Sequence, residues 1–151
     1  MNPTIQHFYA FAVQGVQVRT SNAAEQMPEQ AKIGGLWQQF FSAHGVPAST
    51  VYGVYSGYES DWTGAFDVTA GVQAAAGNSA KPNLAEVRIE AGQYIVFQAK
   101  GAMPQAVIQA WGQVWQYFAA PRSDWQRCYA TDFEQYVGAD EAQVCIGVRP
   151  A

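Results

Sequence analysis

Charge is scarce in this chain. Only 13% of its 151 residues are Asp, Glu, Lys or Arg, where a typical globular protein carries about 25%. The basic residues number eight, lie scattered, and leave a net charge of −4. Nucleic-acid binding rests on a basic stripe that displaces counterions from phosphates, so direct nucleic-acid contact is not expected. Histidine is scarcer still. His7 and His44 have no HxxxH or HExxH spacing, and His44 beside Gly45 reads as a helix-end residue that favours the dipole. No metal site and no cofactor are expected. Cys128 and Cys145 form no CxxC pair and are too few for a disulfide framework. Cys145, inside VCIGV, reads as a small buried hydrophobe. No apolar run approaches a membrane span, and MNPTIQHFYAFAV lacks the basic start and cleavage site of a secretory peptide. A cytoplasmic protein without membrane association is the economical reading. Catalytic signatures are missing too: residues 53–57 read GVYSG, with the serine displaced by one from a GxSxG elbow, and neither GxxxxGK[ST] nor GxGxxG occurs.

Rings, by contrast, are plentiful: five Trp, eight Tyr and eight Phe in a chain that is 49% hydrophobic. This exceeds what a core of such size needs, so part of the ring surface is expected to line a cavity or meet a partner. The length fits one domain, 1–151.

Internal repetition divides that domain. Trp37-Gln38-Gln39-Phe40 is echoed by Trp115-Gln116-Tyr117-Phe118, and Gly71-Val72 by Gly147-Val148, which sets pseudo-repeats of about 6–76 and 84–151. In the first, residues 8–19 read as a strand with Gly15 at a bulge or kink. A helix capped by Ser21 or Asn22 runs to about residue 42, with Ile33, Leu36, Trp37, Phe40 and Phe41 on one face. Gly34-Gly35 weakens it, Pro28 points to an irregular or late start, and Gly45 and Pro47 end it. Strands at 50–58 and 65–73 follow, joined by a turn at 59–64. Residues 77–82 (GNSAKP) are the linker candidate. The second half reads as strands 84–90 and 93–99, a helix from Pro104 to about Phe118, and short strands near 126–130 and 143–149. Pro121 stops the helix. Strand, helix, strand, strand, given twice, predicts an α+β fold: a curved antiparallel sheet with two main helices and pseudo-two-fold symmetry.

One stretch poses a chemical problem. Residues 129–136, YATDFEQY, set two acids among three aromatics. Glu134 at a strand end in water, paired with Arg127 or Arg149, is one reading. Asp132, on the same strand face, is an alternative functional acid.

RIEAGQYIVFQAKG, followed by WGQVWQYF and DFEQY, resembles the GyrI-like effector-binding family, small-molecule-binding domains found fused to AraC- and MerR-type regulators or standing alone. VYGVYSGYESDWTGAFDVTAGV resembles the family's paired strands in the first half. Within the family the likeness is greatest to a stand-alone, integron-cassette version that binds cationic drugs. The resemblance implies that Glu134, in the FExY motif, faces a hydrophobic pocket and binds lipophilic cations, with Tyr136 beside it. A carboxylate in a ring-lined cleft is costly without a partner, whereas an organic cation is cheaply desolvated and gains about 0.5–2 kcal/mol per ring. Tyr52 and Tyr55 have opposite strand parity, so at most one of them is expected to face the pocket without a bulge, and Tyr55 is the choice. Trp111 and Trp115 share a helical face, and Phe97 and Phe66 follow from the paired-strand pattern; core packing is the alternative for all four. The stretch AAPRSDWQRCY departs from the family by keeping only its proline. With no attached helix-turn-helix, coupling to DNA would need a separate transcription-regulator or DNA-binding partner. The expectation is a binding module and not an enzyme. The alternatives are a small-molecule hydrolase with Glu134 as general base and Tyr55 or Tyr136 as donor, and an interaction protein of the gyrase-inhibitor type.

Overall fold

A computed structural model describes residues 3–44, 50–74, 84–120 and 124–150. The first half contains β1 (Thr4–Phe8), β2 (Phe11–Ser21), α1 (Asn22–Glu25), α2 (Ile33–His44), β3 (Val51–Ser56) and β4 (Ala65–Gln73). The second contains β5 (Ala85–Ile89), β6 (Gly92–Lys100), α3 (Gln105–Ala119), β7 (Trp125–Gly138) and β8 (Glu141–Pro150). Residues 77–82, read as a linker, lie outside the described residues, as do Gly45, Pro47 and Pro121.

The strands form one sheet in the order β1-β6-β8-β7-β3-β4-β2-β5, with each neighbouring pair antiparallel. This is the duplicated α+β fold that the sequence predicts. The order is symmetric about the β7–β3 seam, where Val54 pairs with Phe133. It also carries a feature the repeat pattern does not show. Each repeat opens with an edge strand, β5 where a strand is expected at 84–90 and β1 where none is, and each pairs with the long strand of the other half: β1 with β6, β5 with β2.

Alternation along the strands sorts side chains into two layers. One face carries Phe66, Val68 and Ala70 beneath α2, and Phe97, Val144 and Ile146 beneath α3. The opposite face carries Tyr52, Val54, Tyr94, Val96 and Phe133. Phe8 of edge strand β1 lies 5.2 Å from the Phe133 ring, and Phe11 of β2 lies 5.8 Å from it. Both ends of the sheet thus curl towards a residue of a central strand, which closes this face without a helix. Gly15 and Gly71, paired between β2 and β4, permit that curl. A Cβ at Gly15 would stand 1.9 Å from the Ala70 carbonyl oxygen, and one at Gly71 2.0 Å from that of Gln14. The β2–β4 register is unbroken there, so Gly15 marks a close backbone approach and not a bulge.

The first helix is split. Ser21 caps α1 by accepting from the Ala24 N–H, residues 26–32 around Pro28 interrupt it, and α2 starts at Ile33. The Glu25 carboxylate then accepts from the N–H groups of Lys32 and Ile33 and from the Thr20 hydroxyl, capping α2 across the gap. The α2 stripe buries Leu36 and Phe40, each contributing about 1.5–3 kcal/mol. Phe41 remains exposed. The strand predicted near 126–130 runs on to Gly138, irregular between Arg127 and Asp132, where Tyr129 adopts φ 53°. Among the described residues no helix is long and apolar enough to cross a membrane.

Candidate functional site

The extension of β7 decides the environment of Glu134. It sits mid-strand, paired with Gly53 on β3 and Val144 on β8, and is 4% exposed. It is no strand-end residue in water. Three neutral donors converge on it: Tyr55 Oη at 2.9 Å and Trp111 Nε1 at 2.7 Å on Oε2, and Tyr136 Oη at 2.7 Å on Oε1. Burial raises its pKa, and the hydrogen bonds from Tyr136, Trp111 and Tyr55 oppose that rise without cancelling it. Burial, with the Glu134 charge second, also lifts both tyrosines well above the ordinary phenol range, which keeps them neutral donors.

Rings close the site. Tyr55 packs edge-on to Trp111 at 5.1 Å, and Trp37 of α2 packs on Tyr136 at 5.4 Å. Gly53 leaves the room for this: a Cβ there would lie 2.9 Å from both Glu134 Oε1 and the Trp37 ring. Each helix therefore lends one tryptophan. The sequence echo aligned Trp37 with Trp115, but burial aligns Leu36, Trp37 and Phe40 with Ala110, Trp111 and Val114, one helical turn earlier. Trp37 and Gly53 were absent from the predicted set. A tryptophan at helical spacing reads as core, and a strand glycine shows its use only against its neighbours.

The other predicted residues are placed as follows. Phe66 packs on the rings of Tyr55 and Tyr58, each at 5.7 Å. Tyr52 points to the opposite face. Trp115 is 38% exposed and meets Trp62 of the β3–β4 turn at 5.8 Å. Phe97 lies under α3 against Tyr117, beside a groove of about 210 Å³ that does not include Glu134. The structure does not bring Phe97 or Trp115 to the carboxylate.

The second acid has its own answer. Asp132 is fully buried and accepts from Gly147 N at 2.9 Å, from the Tyr58 hydroxyl, and from Arg127 Nη2 at 2.8 Å. Arg127, the partner considered for Glu134, is thus committed to Asp132. A larger cavity of about 540 Å³ opens beside the α1–α2 connection, lined by Arg19, Thr20, Glu29 and Lys32 among others. Its cations are already engaged: Arg19 with Asp67 and the Gly57 carbonyl, Lys32 with the Arg19 carbonyl. The Glu134 site is the better candidate, because there a buried acid faces rings and no cation of the described residues answers it.

A pseudo-symmetric sheet thus holds a ring-walled carboxylate between two helices. The model of the integron-associated effector-binding proteins, Cass2, matches residues 4–146, and the chain belongs to that family. The integron cassette protein VCH_CASS2 from the mobile metagenome of Vibrio cholerae is 40% identical, with a TM-score of 0.86 over 98% of this chain and 96% of that one. SAV2435, solved bound to tetraphenylphosphonium, shares the fold at 21% identity and a TM-score of 0.75, over 99% and 94% of the two chains. EcmrR, solved in a complex with DNA, shares it at 12% identity and a TM-score of 0.60; this chain is 99% covered, but only 57% of that one. No curated protein matches the chain.

Proposed function

We propose that the protein binds lipophilic organic cations, with Glu134 as the counter-charge and Tyr55, Trp37, Trp111 and Tyr136 as the walls. The observation that carries this reading is the buried carboxylate held by three neutral donors and, among the described residues, by no cation. Neutral donors keep the acid tolerable in the empty protein while leaving its charge uncompensated. A soft cation compensates it and gains ring contacts as well. A hydrated metal ion would have to shed its water for a single carboxylate. Neither α2 (IGGLWQQFFSAH) nor α3 (QAVIQAWGQVWQYFA) carries an acidic side chain, Lys or Arg, so no fixed charge on either repels or diverts an approaching cation. SAV2435, which shares the fold, was solved with such a cation.

The site as it stands is closed, with Glu134 almost inaccessible. Binding is therefore read as displacement: the cation moves Trp37 and Trp111 aside and replaces their contacts. Both oxygens of Glu134 already accept hydrogen bonds, which suits a counter-charge better than a general base, so the module is read as a non-catalytic cytoplasmic sensor. Any signal to DNA would pass through a separate regulator. Titration with tetraphenylphosphonium tests the reading. Saturable quenching of Trp emission is expected, with a neutral analogue of similar shape, triphenylphosphine oxide, at least ten-fold weaker. Equal affinities would remove Glu134 from the account, and recovery of a chemically altered ligand would make the protein an enzyme.

A further inference from the structure

Beside the Glu134 site lies a second acid–aromatic compartment, and it already holds an organic cation. The Arg127 side chain is 6% exposed, and its Nη2 donates to Asp132. Its guanidinium carbon lies 4.4 Å from the Tyr129 ring and 6.0 Å from the rings of Trp115 and Phe118. This is a flat, delocalised cation between rings, against one carboxylate. The fit to arginine is incomplete, because Arg127 Nε is buried without an acceptor. Asp132 keeps two donors that do not depend on Arg127, the Gly147 N–H and the Tyr58 hydroxyl. The two compartments adjoin. Asp132 and Glu134 lie two residues apart on one face of β7, about 7 Å along the strand. A continuous wall joins them, from Tyr55 through Phe66 to Tyr58 and on to Tyr129.

We propose that Arg127 is a built-in cation that fills the second acidic compartment and so sets the charge specificity of the cleft. With Arg127 in place the cleft offers one free negative charge and takes monocations; a dication would bring its second charge against the guanidinium. Without Arg127, Asp132, Tyr58, Tyr129 and Trp115 are free to receive that second charge. The inference rests on the cation-binding reading of Glu134 and adds a rule for ligand charge.

A matched pair of probes tests it: N-methyl-4-phenylpyridinium and its dicationic analogue 1,1′-dimethyl-4,4′-bipyridinium, alike in shape, with the second charge at the far ring. Wild type should prefer the monocation. Arg127→Met should shift the dication-to-monocation affinity ratio at least ten-fold towards the dication, and Arg127→Gln, which retains a donor for Asp132, provides a second variant should the first not fold. The double variant R127M/D132N should return to the wild-type preference. A ratio unchanged in a folded Arg127 variant overturns the proposal, and so does a shift that persists in the double variant. If wild type binds neither probe and also fails with tetraphenylphosphonium, the cation reading of Glu134 falls and this inference falls with it. If it binds the monocation as expected, only the charge rule is at stake.

Discussion

Glu134 and Asp132 share a strand face and differ in what answers them, and that difference sets opposite expectations for their neutral variants. Glu134→Gln removes an ionised group that burial disfavours, so the empty variant should be at least as stable as wild type at neutral pH. The raised pKa fixes the pH dependence. A carboxyl titrating higher in the folded than in the unfolded state contributes stability below its unfolded pKa, and that contribution is lost as pH rises through the folded value. Thermal melts should show the margin of Glu134→Gln over wild type growing as pH is raised from the acid side of the carboxylate range to neutrality; a margin that shrinks would contradict it. Cation affinity should rise over the same interval in wild type only, and calorimetry at neutral pH should show Glu134→Gln weaker by about 2–5 kcal/mol. Asp132→Asn, in contrast, strands the Arg127 guanidinium inside the protein. A loss of about 3–5 kcal/mol in chemical denaturation is expected, and a change within a few tenths would mean that the pair contributes little.

The two main helices act as uncharged covers, and the strands beneath them are shaped by absent side chains. Gly53 on β3 is the clearest case. In Gly53→Ala the new methyl group meets Glu134 Oε1 and the Trp37 ring, both ends of side chains and not backbone. The variant should fold with a loss near 1 kcal/mol, yet bind tetraphenylphosphonium at least ten-fold more weakly, because the space belongs to the site. Gly15→Ala and Gly71→Ala meet carbonyl oxygens that have nowhere to go. Expression as soluble, cooperatively melting protein is expected to fail for either, and a native-like melt would show that the β2–β4 approach relaxes more easily than its geometry implies.

At the scale of the whole molecule, the exchange of edge strands ties the halves together. β1 opens the first repeat but pairs with β6 of the second, and its end places Phe8 against Tyr94 and Phe133. Removing residues 1–9 should uncover the β6 edge and that ring cluster. A melting temperature lower by several degrees is expected, together with a tendency to associate through the freed edge. Unchanged melting and a monomeric profile in size-exclusion chromatography would show that β1 is dispensable.

Local pattern determined the class and the plan. Alternating strands, a helical stripe at Leu36 and Phe40, and echoed glycines at 71 and 147 are short-range signals, and they yielded a duplicated α+β sheet with its two helices. Glu134 and Tyr136 came forward through the resemblance of DFEQY to a family motif, Trp111 through its helical face, and Tyr55 as one of two tyrosines of opposite strand parity. Tertiary structure decided the rest. Which tryptophan of α3 meets the carboxylate depends on where the helix rests on the sheet, a displacement of one turn that periodicity cannot see. That Arg127 answers Asp132 and not Glu134 follows from the irregular stretch of β7 that turns its side chain inward. That β1 and β5 exchange halves is a matter of strand pairing between segments far apart in the chain. The tryptophan contact and the edge-strand pairings join distant segments, and the Arg127–Asp132 pair, five residues apart, forms where the register of β7 shifts against β8.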